Sequence, residues 1–146
     1  MKVGFAGTRD ETTPAQHKAL CGWLKANEVT EFHHGCCIGA DDEAVQAVLS
    51  LATIGGKIVA HPPLNRSKMS ESAIQFSTEV LPAKDYLVRN RDIVDACEVL
   101  LACPKGEEEQ RSGTWSTVRY ARKQGKPVVV LWPDGRIEQG GQSCSS

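Results

Sequence analysis

No apolar run in this chain approaches the roughly 20 residues that cross a bilayer, and no charged, apolar leader resembling a signal peptide opens it. No membrane partner is expected, and a cytoplasmic location is. An excess of either charge is also lacking, since 17 Lys and Arg stand against 18 Asp and Glu in 146 residues. That balance supplies no global field to gather nucleic acid or an anionic surface. A small molecule is the expected partner, with nucleic acid disfavoured. There is no Gly-x-Ser-x-Gly elbow, no Walker loop and no internal repeat.

The six cysteines, Cys21, Cys36, Cys37, Cys97, Cys103 and Cys144, are scattered through strand and helix patterns. In a reducing compartment they act most simply as small buried apolar groups. His33-His34-Gly35-Cys36-Cys37 invites a metal, but adjacent strand residues point to opposite faces, and no second Cys/His cluster supplies further ligands. Neither a metal nor any other cofactor is expected.

What the chain does have is alternation. Lys2 to Gly7 reads as a strand, followed by a helix with Ala19, Leu20, Trp23 and Leu24 on one face. Glu31 to Gly35 reads as a second strand, and Ala44, Val45, Val48, Leu49 and Ala52 mark a second helix. Lys57 to His61 is a third strand, halted by Pro62-Pro63. Residues 64 to 83 form a long connection with a brief extended piece near Ile74 to Val80, and a connection that long is usually functional. A helix over Lys84 to Cys97, a strand at 99 to 103, a helix from Thr114 to Gly125 and a strand at Val128 to Trp132 complete the pattern. The expected class is α/β, a three-layer sandwich with a mainly parallel five-stranded sheet. One domain over 1–133 is expected, with a Gly, Gln and Ser-rich flexible tail over 134–146, frayed apart from a short strand near Arg136-Ile137.

In such sheets the ligand crevice lies beyond the carboxyl ends of the strands, at a topological switch point. Each strand is followed there by polar or glycine residues: Gly7-Thr8-Arg9, Gly35 with Gly39-Ala40-Asp41, His61-Pro62, and Arg111-Ser112-Gly113-Thr114 running on to Thr117. Singly each has an ordinary explanation, in which glycines turn the chain, Asp41 charges a helix start and His61 is a satisfied strand-end histidine. Their coincidence at one edge points to a site. Small residues at the start of the last helix leave N–H groups free for an anion. Alternatively Ser112 caps that helix and Gly113 permits a tight turn.

Asn90 falls in the middle of an apolar stripe of Tyr86, Leu87, Ile93, Val94 and Cys97. A buried amide needs partners, so it either ties loops together or points into the site, and the second is expected. Arg89, Arg91, Arg111, Arg119 and Arg122 all lie in the second half, which allows a basic pocket in a neutral protein.

Taken in order, Gly7-Thr8-Arg9, His34-Gly35, Gly39-Ala40-Asp41, His61-Pro62, Arg89-Asn90 and Ser112-Gly113-Thr114 resemble the SLOG superfamily over residues 3 to 133. That Rossmann-like group contains DNA-processing protein A and the LONELY GUY phosphoribohydrolases. The resemblance implies a nucleotide-like ligand, its phosphate over Ser112-Gly113-Thr114 and its sugar or base near Gly7-Thr8-Arg9, Gly35 and Asp41. Arg89 and Arg111 would hold phosphate and Asn90 would organise the pocket. It also implies a homo-oligomer. The hydrolases of the group carry Gly-Gly-x-Gly-Thr-x-x-Glu, and here Thr117 stands where that glutamate would be. A neutral hydroxyl cannot act as the missing carboxylate. No catalytic residue is therefore assigned, although Asp41 or Asp85 could supply an acid for N-glycosidic cleavage of a nucleoside monophosphate. Single-stranded DNA binding is a further alternative that the neutral charge disfavours.

Overall fold

The computed structural model describes residues 1–51 and 56–140; Ala52 and Cys144 lie outside the described residues. Strand β1 (Lys2–Gly7) leads to α1 (Pro14–Ala26), β2 (Glu31–His34), α2 (Ala40–Leu51) and β3 (Lys57–Ala60). A 3-10 turn (Arg66–Lys68), a short α3 (Glu71–Gln75) and β4 (Glu79–Val80) follow. The chain then forms α4 (Tyr86–Ala96), β5 (Val99–Cys103), α5 (Gly113–Lys123), β6 (Val128–Leu131) and β7 (Ile137–Gly140). The helix starts are chemically marked. Thr13 and Gln16 form a capping box ahead of α1, with Pro14 in its first turn, while Asp85 and Ser112 cap α4 and α5.

The sheet order is β4-β3-β2-β1-β5-β6-β7, parallel except for the antiparallel β6–β7 pair. Period-two alternation divides the core between two faces. Val99, Leu101, Cys103, Val129 and Leu131 pack with Leu20, Leu24, Ala44 and Val48 of α1 and α2, whereas Leu100, Ala102, Val128 and Val130 pack with Val94, Trp115 and Val118 of α4 and α5. This is a three-layer α/β arrangement. The chain steps outward from β1 through β2 to β3 and β4, then crosses over to β5, so β1 and β5 bracket the switch point.

Among the described residues the sheet has seven strands, not the five expected. β4 has two residues, too few to show alternation, and lies inside the long connection. It is held at the edge of β3 by the Thr78 hydroxyl, which accepts the Ile58 N–H at 2.9 Å, and by the Leu81 N–H donating to Ala60 at 3.0 Å. β7 lies in the segment expected to be a flexible tail and extends beyond the short strand foreseen near Arg136-Ile137. Its Ile-Glu-Gln-Gly sequence is largely exposed and offers no apolar period. A tight turn returns the chain instead: Gly135 takes φ +89°, and the Trp132 N–H donates to the Arg136 carbonyl at 2.9 Å.

Candidate ligand cleft

Beyond the carboxyl ends of β1 and β5 lies a cleft of about 560 Å³. Of the residues expected at the site, Gly7, Thr8, Arg9, Gly35, Asp41, Arg89, Asn90, Arg111, Ser112, Gly113, Thr114 and Thr117 all line it. Gly39 and His61 do not.

The first wall is built by backbone approach. Thr8 N–H donates to Cys103 and the Thr8 carbonyl accepts from Ala40 N–H, each at 3.0 Å, which joins β1, β5 and the start of α2. Gly7 has no room for a side chain, because a Cβ there would lie 2.5 Å from that of Ala40. Gly39 serves this junction rather than a ligand. It takes φ +85°, and a Cβ would overlap the Arg9 carbonyl.

Asp41, in the first turn of α2, is buried on the cleft wall and its Oδ2 accepts the Cys37 N–H at 3.0 Å. Burial raises its carboxyl to about 6, against the pull of Arg89 and the backbone donors. Arg89 in turn reaches across three segments. Its Nη1 donates to the Gly35 carbonyl and, at 3.3 Å, to the His61 carbonyl, and its Nε donates to Asn90 Oδ1 at 2.8 Å. This corrects the expected stripe on α4. The inward face carries Arg89, Ile93, Val94 and Cys97, while Leu87 is 53% exposed and Asn90 is half-buried at the cleft edge. Arg89 thus takes the buried position because loop carbonyls satisfy its guanidinium. Most of its donors are spent on protein, so toward a ligand it contributes mainly charge.

Tyr86, grouped with the apolar stripe in the sequence, lines the cleft with Arg9 over its ring at 4.7 Å and Arg89 at 5.2 Å. Cys37, noted in the sequence only as part of the His/Cys run, also lines it, as do Lys105 and Glu109, which carried no sequence signal. Lys105 pairs with Asp10 at 3.0 Å.

The opposite wall is the start of α5. Ser112 does cap this helix, accepting the Trp115 N–H at 3.2 Å. The cap leaves other donors free, because the N–H groups of Gly113 and Thr114 have no acceptor among the described residues. A Cβ on Gly113 would meet nothing within 4 Å, so this turn faces open cleft. The Thr117 hydroxyl donates back to the Gly113 carbonyl at 2.9 Å. The loop before the helix is pinned from behind by Trp115 Nε1 on the Gly106 carbonyl at 3.1 Å and by Arg119 on the Glu109 and Gln110 carbonyls.

Among solved structures, the chain is similar to the molybdenum cofactor binding protein of the phototrophic bacterium Rippkaea orientalis. The TM-score is 0.65 at 23% identity, covering 90% of this chain and 77% of that one. It is also similar to the structural-genomics target TM1055, with a TM-score of 0.62 at 19% identity over 90% and 74% of the two chains. A third neighbour is DNA processing protein A of Streptococcus pneumoniae, with a TM-score of 0.62 at 20% identity; the match covers 88% of this chain but 49% of that protein. These likenesses show a Rossmann-like fold. No family model and no curated protein matches the chain.

His61 is placed apart from the cleft. Its Nε2 and His33 Nδ1 lie 2.8 Å apart, and His33 Nε2 lies 3.0 Å from Glu31 Oε1. The residue borders a separate cavity of about 210 Å³, and its backbone carbonyl accepts from Arg89. Burial, with His33 beside it, pushes its pKa down to about 4. The neighbouring His34 turns elsewhere, its Nε2 lying 2.8 Å from the Ser77 hydroxyl. Alternation along β2 separates the two rings as expected, and no group of three or more His, Cys, Asp or Glu is placed to hold a metal among the described residues.

Proposed function

We propose that this chain is a SLOG-type domain that binds a nucleotide or nucleotide-derived small molecule, acting as a sensor, carrier or sequestering protein. The observation that carries this reading is the convergence on one cleft of two unpartnered N–H groups, at Gly113 and Thr114, with the cationic side chains of Arg9, Arg89 and Arg111. Two donors at a helix start suit a phosphate group. Gly113 leaves the approach open, and the Arg9–Tyr86 wall offers a flat face for a base. The cofactor-binding neighbour adds support for a small-molecule ligand on this fold.

Native mass spectrometry of freshly purified protein, followed by thermal shift with a nucleotide panel, tests the reading. A bound species of nucleotide composition, or a shift with at least one nucleotide, is expected. No adduct and no shift across the panel would remove the proposal.

N-glycosidic cleavage of a nucleoside monophosphate is the second reading, and Asp41 is the observation that favours it. Asp85 caps α4, with Oδ1 accepting the Val88 N–H at 3.1 Å, and does not line the cleft. Asp41 does, and its raised pKa suits an acid or base near neutrality. Free base after incubation with nucleotides would select this reading. A steep salt dependence of binding to single-stranded DNA would select the third. Self-association is part of the proposal with its own test, the mass in solution by light scattering.

A further inference from the structure

The α4–α5 pair carries a second groove on its outer side, of about 420 Å³. Asn90 and Thr117 line both this groove and the cleft, so the two depressions meet at that pair. Its charge is one-sided. Arg91, Arg119 and Lys123 line it and no Asp or Glu does, although the chain as a whole has a net charge of −1. Arg119 is committed to the preceding loop through Glu108 at 3.0 Å and the Glu109 and Gln110 carbonyls. Arg91 and Lys123 are not, since neither forms an ion pair within 4 Å among the described residues. Arg91 lies over the Tyr120 ring at 5.1 Å, and the Tyr120 hydroxyl is held by Asp95 at 2.9 Å. The groove thus combines a flat, fixed wall with two unpaired cations.

Separation decides what this can bind. Lys123 stands ten residues beyond Gly113 on α5, about 15 Å at 1.5 Å per residue. A phosphate seated on the Gly113 and Thr114 N–H groups cannot touch it. Resting on the reading of the cleft as a nucleotide site, we propose that the groove is the second half of that site. Its ligand is of dinucleotide size: the first phosphate sits at the start of α5, and a second anionic group, beyond the sugar, lies between Arg91 and Lys123. A balanced overall charge provides no extended cationic track, which favours such a molecule over a nucleic-acid strand.

The test is calorimetric titration of the full chain with pApA, pGpG, pCpC and pUpU against AMP, GMP, CMP and UMP. At least one dinucleotide should bind about tenfold or more tighter than its mononucleotide, equivalent to about 1.4 kcal/mol. The Arg91→Gln/Lys123→Gln double variant should cancel that advantage and reduce the salt dependence of dinucleotide binding, while mononucleotide affinity stays within about twofold. Both positions are at the surface, so folding is not at stake, and far-UV circular dichroism checks it. Equal affinities, or an advantage that survives the double variant, overturn the inference while leaving the cleft reading intact. Affinity that keeps climbing with longer oligonucleotides marks a nucleic-acid track and overturns it too. Binding of neither class removes both readings together.

Discussion

Asn90 Oδ1 accepts the Nε hydrogen of Arg89 at 2.8 Å, and that bond fixes which way the guanidinium faces. With Nε held, Nη1 is left for the Gly35 and His61 carbonyls, so one side chain of α4 ties together the loops after β2 and β3. Arg89 is 6% exposed, which makes these bonds costly to leave unmade.

Arg89→Met is accordingly expected to destabilise the protein by about 2–5 kcal/mol, since each buried acceptor left without a donor costs about 1–3 kcal/mol. Urea unfolding measures this. The neighbouring position separates orientation from bulk. Asn90→Leu removes the acceptor for Nε and should lower nucleotide affinity roughly tenfold, about 1.4 kcal/mol, whereas Asn90→Asp retains an acceptor and should keep the Arg89 geometry. Unchanged affinity in the leucine variant would show that Asn90 has no influence on the ligand.

Gly113→Val should abolish nucleotide binding and leave the fold intact, because the added carbons enter open cleft rather than core. Ligand at about 100 times its dissociation constant adds about 2.7 kcal/mol of apparent stability, so thermal shift is a sensitive readout. A full shift in the variant would take the start of α5 out of the site.

The chemistry at position 117 yields a fourth expectation. Thr117 is buried and its hydroxyl is used within α5, so the native protein should release little or no free base from AMP, GMP, CMP or UMP. A general acid or base typically contributes about 10² to 10⁴ in rate. Thr117→Glu should therefore raise base release above the native level, as followed by chromatography. Fast release by the native protein would point to Asp41 as the working carboxylate and decide for the enzyme reading.

Stability should fall on mild acidification. Burial holds His34 at about 3 and His61 at about 4, against an unfolded value near 6.5, so the unfolded chain takes up protons first as pH drops below 6.5. Asp41 acts with the opposite sign. Raised to about 6 by burial, it contributes stability that is complete below its unfolded value and is lost as pH rises through about 6. Two histidines against one aspartate leave roughly one net proton near pH 5, a loss of about 1.4 kcal/mol per pH unit on acidification. Urea unfolding between pH 4.5 and 7 should show that slope, and Asp41→Asn should steepen it. A flat profile in the native protein would mean that only one of the two histidines is held down, cancelling Asp41, and stability that rises on acidification would mean that neither is.

The parallel strands and their helices were legible because each repeats a local signal. Val99 to Cys103 and Val128 to Leu131 are apolar runs bounded by turn residues, and Ser112 announces the helix it caps. β4 and β7 were not strongly marked, because two residues cannot alternate and an exposed edge strand buries nothing. Their pairing is imposed by the open edges of β3 and β6.

For the site, the sequence alone determined which loops gather, since the order of strands and helices forces the segments after β1 and β5 to the same edge. Gly7, Ser112 and Gly113 could be read there without coordinates. Only the tertiary structure decided which side chain of a pair turns inward. Helical period brought Asn90 to the apolar stripe by hydropathy, yet Arg89 occupies the buried position, because the carbonyls of Gly35 and His61 meet its guanidinium there. His61 likewise follows β3 at the expected edge but turns toward His33, 28 residues away in sequence. Local pattern carries the period of a strand or helix; the partners that satisfy a buried charge or ring come from distant segments, and only the folded chain brings them within hydrogen-bond reach.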